Sequence, residues 1–253
     1  MANSISTLGQ QMNMINQVKN MQSRMADLQQ QVATGVKYQT YSGYGSDALR
    51  IQNYRADLQA KKTYSYCIDI AQINIEQMNS AVDETITQAG NALSALDAQL
   101  TKGSEYDLES VKNAADSALK IIQANMNSKV GDRYLFAGTD VLNAPYDGAD
   151  TATSNIQTQV TNWLNGTTAD TDTFLANISG LTDSQLGYST SVQSAKNIYA
   201  RADEGLEVDY TVKATDDGFK KIVAGLTALA NMQKPATTDT PTDDDFYNAL
   251  DSL

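Results

Sequence analysis

The sequence predicts a mainly α-helical protein, a long antiparallel helical rod with a short β-hairpin and a small mixed α/β insert domain. Apolar residues recur every three or four positions through most of the first 130 residues and again near the end, as on one face of an α-helix. The 253 residues include three prolines and only 7% aromatic residues, which suits long exposed helices better than a thick core. Two stretches, 132–148 and 197–212, interrupt this pattern with turn residues typical of hairpins.

The first predicted helix covers residues 8–33 and has one apolar face, flanked by Gln, Asn, Lys, Ser and Arg. Gly35 is expected to end it, and a Tyr/Gly/Ser linker follows at 36–46. Because an isolated amphipathic helix is only marginally stable, we expect segment 1–46 to be disordered until a partner covers the face. The predicted subunit-assembly residues are Leu8, Met12, Ile15, Val18, Met21, Met25, Leu28 and Val32.

A second helix is predicted over residues 47–101, roughly 80 Å long at 1.5 Å per residue. A turn at 102–107, with a capping box from Ser104 to Asp107, is expected to lead into a third, antiparallel helix. The apolar stripe of the second helix is Ile51, Tyr54, Leu58, Ile68, Ile75, Met78, Val82, Ile86, Ala89, Leu93, Leu96 and Leu100. The stripe of the third is Leu108, Val111, Ala115, Leu119, Ile122, Met126 and Val130.

The segment DRYLFAGTDVLNAPYDG at 132–148 alternates at Tyr134 and Phe136, which predicts a hairpin that closes one end of a rod domain spanning 47–148. Residues 149–215 form the predicted outward insert, with short helices at 155–164 and 171–178 and a hairpin near Gly205. The chain is then expected to return to the rod at 216–253. There we predict one helix at 217–232 and another after a Thr242–Asp245 capping box.

Composition argues against several functions. There is no histidine and a single cysteine, Cys67, and no glycine-rich phosphate loop is present, so we expect no catalytic site, no cofactor and no metal. The net charge of −12 disfavours binding to nucleic acid or to an anionic membrane surface. No cleaved signal peptide and no membrane-spanning apolar stretch is visible.

Four features resemble the flagellin family, and within it the hook-associated proteins of the hook–filament junction. They are MINQVKNMQSRMADLQQQVATGVKY near the start, GSDALRIQNYRADL at 45–58, the order of the elements that follow, and GDRYLFAGTDVLNAPYDG at 131–148. The last is the most specific, since Arg-Tyr-Leu-Phe-Ala-Gly followed by Pro-Tyr is characteristic of junction proteins. The residues of this family-motif hairpin are Arg133, Tyr134, Leu135, Phe136, Gly138, Pro145 and Tyr146.

The resemblance implies a flagellin-like rod and an extracellular structural role in the bacterial flagellum. Its implied partners are further copies of the chain, a neighbouring hook-associated protein and flagellin, with a dedicated export chaperone for the full-length protein. It also implies export through the flagellar type III apparatus without a cleaved signal. In the family, C-terminal helices pair with the N-terminal helix, and we expect those final helices to be missing from this sequence.

Three alternatives remain at the sequence level. A filament flagellin would share the architecture but usually has another segment in place of the 131–148 motif. A surface ligand-binding module would use the acidic insert, since residues 131–215 contain 11 acidic and four basic side chains. An unrelated coiled-coil scaffold would lack the predicted strands.

Overall fold

The computed structural model describes residues 2–102, 107–235 and 241–253, with side chains from residue 8 onward, and confirms a mainly helical chain with short antiparallel hairpins. The helices are α1 (Ala2–Thr34), α2 (Ala48–Leu100), α3 (Leu108–Met126), α4 (Ala149–Leu164), α5 (Thr171–Ser179), α6 (Thr190–Ser194), α7 (Asp217–Asn231) and α8 (Asp243–Ser252). The strands are β1 (Lys129–Val130), β2 (Arg133–Tyr134), β3 (Tyr199–Asp203) and β4 (Leu206–Asp209). The chain divides into a first unit, Met1–Thr63, and a second unit, Tyr64–Leu253.

In the first unit, α1 ends where the sequence predicts. The backbone N–H of Gly35 donates to the carbonyl oxygen of Gln31 at 2.8 Å, and Gly35 has φ +66°, a left-handed conformation that glycine adopts without strain. The predicted linker is partly wrong, because Tyr41–Asp47 forms a 3-10 helix. The rings of Tyr38 and Tyr44 pack edge to face with centroids 5.1 Å apart, which gives this turn a small apolar contact of its own.

The limits predicted for α2 are close to those observed, but its predicted apolar stripe is only partly right. Met78 and Leu96 are buried, and Ile75, Val82 and Leu100 are partly buried against the core. Five other members are exposed: Tyr54, Leu58, Ile68, Ile86 and Leu93. The buried face consists of small and polar side chains as well as apolar ones: Ala71, Met78, Ala81, Thr85, Ala92, Leu96 and Gln99. Five of them, at positions 71, 78, 85, 92 and 99, recur at seven-residue intervals, which is the spacing of a helix that packs along a partner helix.

Helix α3 is antiparallel to the second-unit part of α2. Asn125, near the end of α3, donates its side-chain N–H to Thr85 Oγ1 at 3.4 Å, while Gln99 Oε1 accepts from the backbone N–H of Asp107 at the other end. The buried polar groups of α2 therefore have partners in the turn or on α3. The N-cap of α3 is Asp107 itself, which accepts from Ser110 N; the predicted capping residue Ser104 lies outside the described residues.

The hairpin predicted at 132–148 begins earlier than expected. Helix α3 ends at Met126, so Val130 belongs to β1 and not to the helix. Strands β1 and β2 join through Gly131, which has φ +59°, and Asp132; glycine at the first central position is the requirement of a type II′ turn. Residues 135–137 were predicted to alternate, but Leu135, Phe136 and Ala137 are all buried in an irregular segment.

The insert region contains the predicted helices as α4 and α5 and the predicted hairpin as β3 and β4. Gly205 lies in the hairpin turn with φ +74°, as its position in the sequence indicated. Helix α6 was not predicted, since its five residues have too few apolar positions to show a period. Both two-stranded sheets are antiparallel.

One hydrophobic core joins the second unit. Helix α7 packs against α3, α4 and α5, and α5 also packs against α8, so residues from 149–215 and from 216–253 are buried together. The predicted apolar face of α7 is confirmed except that Ile222 is only partly buried. The capping box at Thr242 and Asp245 is present at the start of α8. The largest fully buried side chains are Trp163, Phe136, Phe174, Phe246, Leu96, Ile122, Met126 and Ile156.

Candidate assembly surfaces

The apolar face of α1 is exposed along its whole described length. The least exposed member is Val18 at 49% and the most exposed is Val32 at 86%. No residue between 8 and 63 is buried, so nothing in the first unit covers this face. Contiguous exposed apolar surface of this kind marks an interaction site. All eight predicted assembly residues lie on it: Leu8, Met12, Ile15, Val18, Met21, Met25, Leu28 and Val32.

The chemistry of α1 favours a helix as its partner. Its apolar residues are Leu, Met, Ile and Val, whose side chains contain no nitrogen or oxygen, and its charged side chains are limited to Lys19, Arg24 and Asp27. A surface with so few charges gains most from burial against another apolar stripe, which is helix-to-helix packing. The face offers no titratable side chain for catalysis.

The family-motif residues lie in the second unit, and most of them belong to its interior. Arg133 is exposed and Tyr134 is half-buried, where Lys129 Nζ lies 4.1 Å from the centre of its ring. The other five are buried: Leu135, Phe136, Gly138, Pro145 and Tyr146. Most of the motif is therefore packed in the interior of the second unit, and little of it lies on the surface.

Phe136 connects the motif to the rest of the core. Its ring is fully buried and packs edge to face on Phe219 of α7, with centroids 5.4 Å apart. Its carbonyl oxygen accepts the backbone N–H of Ala214 at 3.0 Å. Because both contacts are to residues about 80 positions later in the chain, they fix the path between the hairpin and α7.

Tyr146 forms the second anchor of the motif. The side-chain amide of Asn127 donates to the Tyr146 carbonyl at 2.6 Å and accepts its backbone N–H at 3.1 Å. The Tyr146 ring packs on Tyr188 with centroids 5.2 Å apart. Burial raises the pKa of Tyr146 to about 12, with Gln123 opposing the shift, and burial also raises the pKa of Tyr188. Both phenols therefore stay neutral near pH 7, as structural tyrosines do.

Two close backbone approaches explain glycines around the motif. A Cβ on Gly138 would lie 2.8 Å from the carbonyl oxygen of Lys196, and Gly138 also has φ +59°. A Cβ on Gly148 would lie 2.6 Å from the Cα of Gly187, whose carbonyl accepts the Gly148 N–H at 3.0 Å. The motif is thus held against residues 187–196 by backbone contacts that only glycine permits.

An open cleft of about 610 Å³ lies beside α7 in the second unit. Apolar side chains of α5 line one side, and Lys220 and Lys221 lie on the other. Lys220 Nζ is 3.2 Å from Asp183 and 3.3 Å from Asp217. Burial lowers the pKa of Lys220, but its hydrogen bonds to these two carboxylates outweigh that effect and hold the pKa above its ordinary value. Its charge is therefore already balanced within the chain.

The described residues contain neither a metal-ligand cluster nor a membrane-spanning helix. Across residues 2–102, 107–235 and 241–253, no three side chains of His, Cys, Asp or Glu are grouped so that they could hold a metal ion. Within the same ranges, no helix combines the length and the apolar character needed to span a membrane.

Comparisons with protein-family models, with curated proteins and with solved structures gave no match. A functional proposal therefore rests on the chemistry of the surfaces described above and on the sequence resemblance.

Which residues of α2 are buried could not be predicted from the sequence. Large apolar residues were predicted to form one stripe, yet Ile86 and Leu93 are exposed. The usable signal was the seven-residue recurrence of Ala71, Met78, Thr85, Ala92 and Gln99. The alanines and the threonine among them allow helices to approach closely, so the size of a side chain alone is a poor guide to its burial.

Proposed function

We propose that this chain is a structural protein of the bacterial flagellum that joins hook to filament, assembling into a helical tube through its amphipathic terminal helix. The observation that supports this best is the exposed apolar face of α1, from Leu8 to Val32. A soluble chain with such a face needs a partner to cover it, and a role by assembly provides one. The role involves no catalysis, cofactor or metal.

The partners in this proposal are other copies of the chain, a neighbouring hook-associated protein and flagellin, with an export chaperone for the full-length protein. The site is extracellular, at the hook–filament junction, and is reached without a cleaved signal peptide. Support comes from the 131–148 motif, whose sequence resembles that of junction proteins and whose buried residues pack in the core of the second unit. The balance of charge argues against nucleic acid or membrane as a partner.

Immunogold electron microscopy of intact flagella tests the location. Antibody raised against the second unit should label one thin band at the distal end of the hook. Label along the filament would instead identify a filament flagellin, and flagella without any label would refute an axial role altogether.

Deletion of the gene tests the proposed role in joining the filament to the hook. Cells without the gene should build hooks of normal length and release unpolymerised flagellin into the medium, because the filament has no base on which to grow. Reintroduction of the gene should restore filaments. Deleted cells that still build normal filaments would contradict the junction role.

Ligand binding through the insert is the second candidate, and the cleft beside α7 is the feature that favours it. Small-molecule screening by calorimetry against the whole chain tests it. Saturable binding at low micromolar affinity, lost on Ala224→Trp in the cleft wall, would establish this role in place of a purely structural one.

A further inference from the structure

The second-unit part of α2 has large apolar side chains that the core does not use. Tyr66, Ile73, Ile86 and Leu93 are between 47% and 66% exposed. At 100° per residue, Tyr66 and Ile73 lie on one flank of the buried face and Ile86 and Leu93 on the other flank, about 160° away around the helix. The outward side of α2 is therefore bordered by exposed apolar side chains on both flanks.

Carboxylates run beside this apolar face at regular intervals. Asp69, Glu76 and Asp83 are seven residues apart, Asp97 follows at twice that interval, and all four are exposed. Each lies three or four positions from one of the exposed apolar residues, and the carboxylates occupy the outward side of the helix between the two apolar flanks. None of the four is in an ion pair within the described part of the chain. We name this outward side, from Tyr66 to Asp97, the acidic stripe.

The sign of the charge in this part of α2 is uniform. Residues 64–100 contain five acidic side chains and no basic one. Like charges along one helix repel each other and disfavour the isolated state, although the cost is small in water. A partner that brings cations to the stripe removes that repulsion, and a partner that also brings apolar groups covers the exposed aliphatic side chains.

The first unit presents the complementary chemistry. Arg55 and Lys62 are also seven residues apart, both are exposed, and Leu58 lies between them with 56% of its surface exposed. We name these three residues the basic patch. The first unit has seven basic and three acidic residues, whereas the second has 11 basic and 27 acidic residues. One chain therefore has a cationic unit and a strongly anionic unit, each with exposed apolar side chains on a helix.

We infer that the basic patch of one copy of this chain docks on the acidic stripe of a second copy. The equal seven-residue spacing places Arg55 and Lys62 opposite two successive carboxylates, such as Asp69 and Glu76, when the helices lie side by side. Leu58 then meets the aliphatic side chains between those carboxylates. Charge complementarity selects a second copy, because both surfaces are present in every chain and match in spacing and sign.

The two surfaces differ, so the contact is head-to-tail. Each copy uses its basic patch on one neighbour and its acidic stripe on another, and such heterologous contacts generate rings or filaments. The inference rests on the proposed function, since it names the partner surface of an assembling axial subunit. It adds a second interface to the α1 face and predicts that the contact weakens with salt.

Sedimentation velocity of the purified full chain tests the contact. Three proteins are compared: wild type, the patch variant Arg55→Glu with Lys62→Glu, and the stripe variant Glu76→Lys with Asp83→Lys. We expect each variant alone to raise the self-association Kd at least tenfold, because attraction becomes repulsion at two pairs. The substituted residues are exposed, and the Glu and Lys that replace them are good helix formers. Circular dichroism checks that the helix content is unchanged.

Rescue and a matched control separate this contact from a general effect of charge. Mixing the two variants, or combining all four substitutions in one chain, should restore association. Glu84→Lys is the control for Asp83→Lys, since it makes the same change one residue away but about 100° around the helix. It should leave the Kd within about twofold of wild type.

The results distinguish this inference from the proposed function. Wild-type protein that stays monomeric, or variants that associate as well as wild type, would overturn the docking contact, even if immunogold label is found at the hook end. Salt-sensitive association with the expected variant effects would support the contact, even if the label lies elsewhere in the cell.

Discussion

At the scale of single residues, Phe136 shows how the family motif acts through packing. Its ring is completely buried and packs against Phe219, and its carbonyl oxygen accepts the backbone N–H of Ala214. The ring contact is not available to a smaller side chain, since the ring fills space between elements that are far apart in sequence, whereas the backbone hydrogen bond does not depend on the side chain.

Replacement of Phe136 by Ala should therefore lower the free energy of unfolding of the second unit by about 3–5 kcal/mol. The only tryptophan, Trp163, is buried and stacked on Phe174 at 4.7 Å, so its fluorescence in a denaturant titration reports this unit. Leu142→Ala is the control, because Leu142 is 74% exposed in the same segment and should cost less than about 0.5 kcal/mol. Equal losses for both variants would contradict the packing role.

The carboxylates at the starts of α5 and α8 make the stability of the second unit depend on pH. Hydrogen bonds from Thr173 lower the pKa of Asp170, and hydrogen bonds from Thr242 lower the pKa of Asp245. A depressed folded-state pKa stabilises the fold above the ordinary value of 3.8, and this contribution is lost as the pH falls through the lower pKa. The unfolding free energy should therefore decrease on acidification below about pH 4.

The double variant Asp170→Asn with Asp245→Asn should flatten this decrease below about pH 4, because asparagine accepts the same hydrogen bonds without titrating. Denaturation by urea, followed by Trp163 fluorescence at each pH, gives the curve. Asp244→Asn lies in the same first turn of α8 outside the capping box and serves as control. An unchanged slope in the double variant would show that other groups determine the acid response.

At the scale of elements, the sequence was most informative where one helix face is uniform. The end of α1 and the limits of α7 follow from a single apolar stripe with clear end signals, and the β3–β4 hairpin follows from Gly205 between alternating residues. Helix α2 was harder because large apolar residues are also exposed on it, and its buried face contains Ala, Thr and Gln. Periodicity finds such a helix but cannot assign which face meets the core.

The path of the chain through the 131–148 motif could not be predicted from the sequence, for a different reason. Its apolar residues were predicted to alternate in a strand, but the chain there is held by the close approach of Gly138 to Lys196 and by backbone hydrogen bonds, in which residues 128 and 141 accept and residue 214 donates. The contacts to residues 196 and 214 are distant in sequence, so they leave no local pattern from which the path could be predicted. The predicted assembly residues on α1 needed only local information, which is why their common exposed face could be expected.

The α1 face leads to a prediction at this scale. Met21→Glu with Met25→Glu places two charges on the apolar face and should reduce incorporation into flagella at least tenfold, because a partner would have to bury both carboxylates. Immunogold counts per flagellum measure incorporation. Asn20→Glu with Ser23→Glu adds the same charge on the opposite side of α1 and should incorporate normally. If the two variants behave alike, the apolar face is not the assembly surface.

At the scale of the whole molecule, the two units differ in what stabilises them. The second unit has a continuous core, whereas the first unit has no buried side chain among its described residues from 8 to 63. Tertiary burial supplies most of the stability of protein helices, so a helix without it opens readily even when its geometry is regular. The same chain thus combines a preformed body with a segment whose order depends on its partners.

Amide hydrogen exchange should reveal this difference directly. In dilute solution of the free chain, amides of residues 8–34 should exchange close to the unprotected rate, while those of α3 and α7 should be slower by several orders of magnitude. When the protein is isolated within flagella, α1 should become protected, because its apolar face is then buried and each opening must break those contacts. The protection of α7 should change little between the two samples and is the internal control. An α1 that is already protected in the dilute free chain would mean that it needs no partner, and the argument for function by assembly would lose its main support.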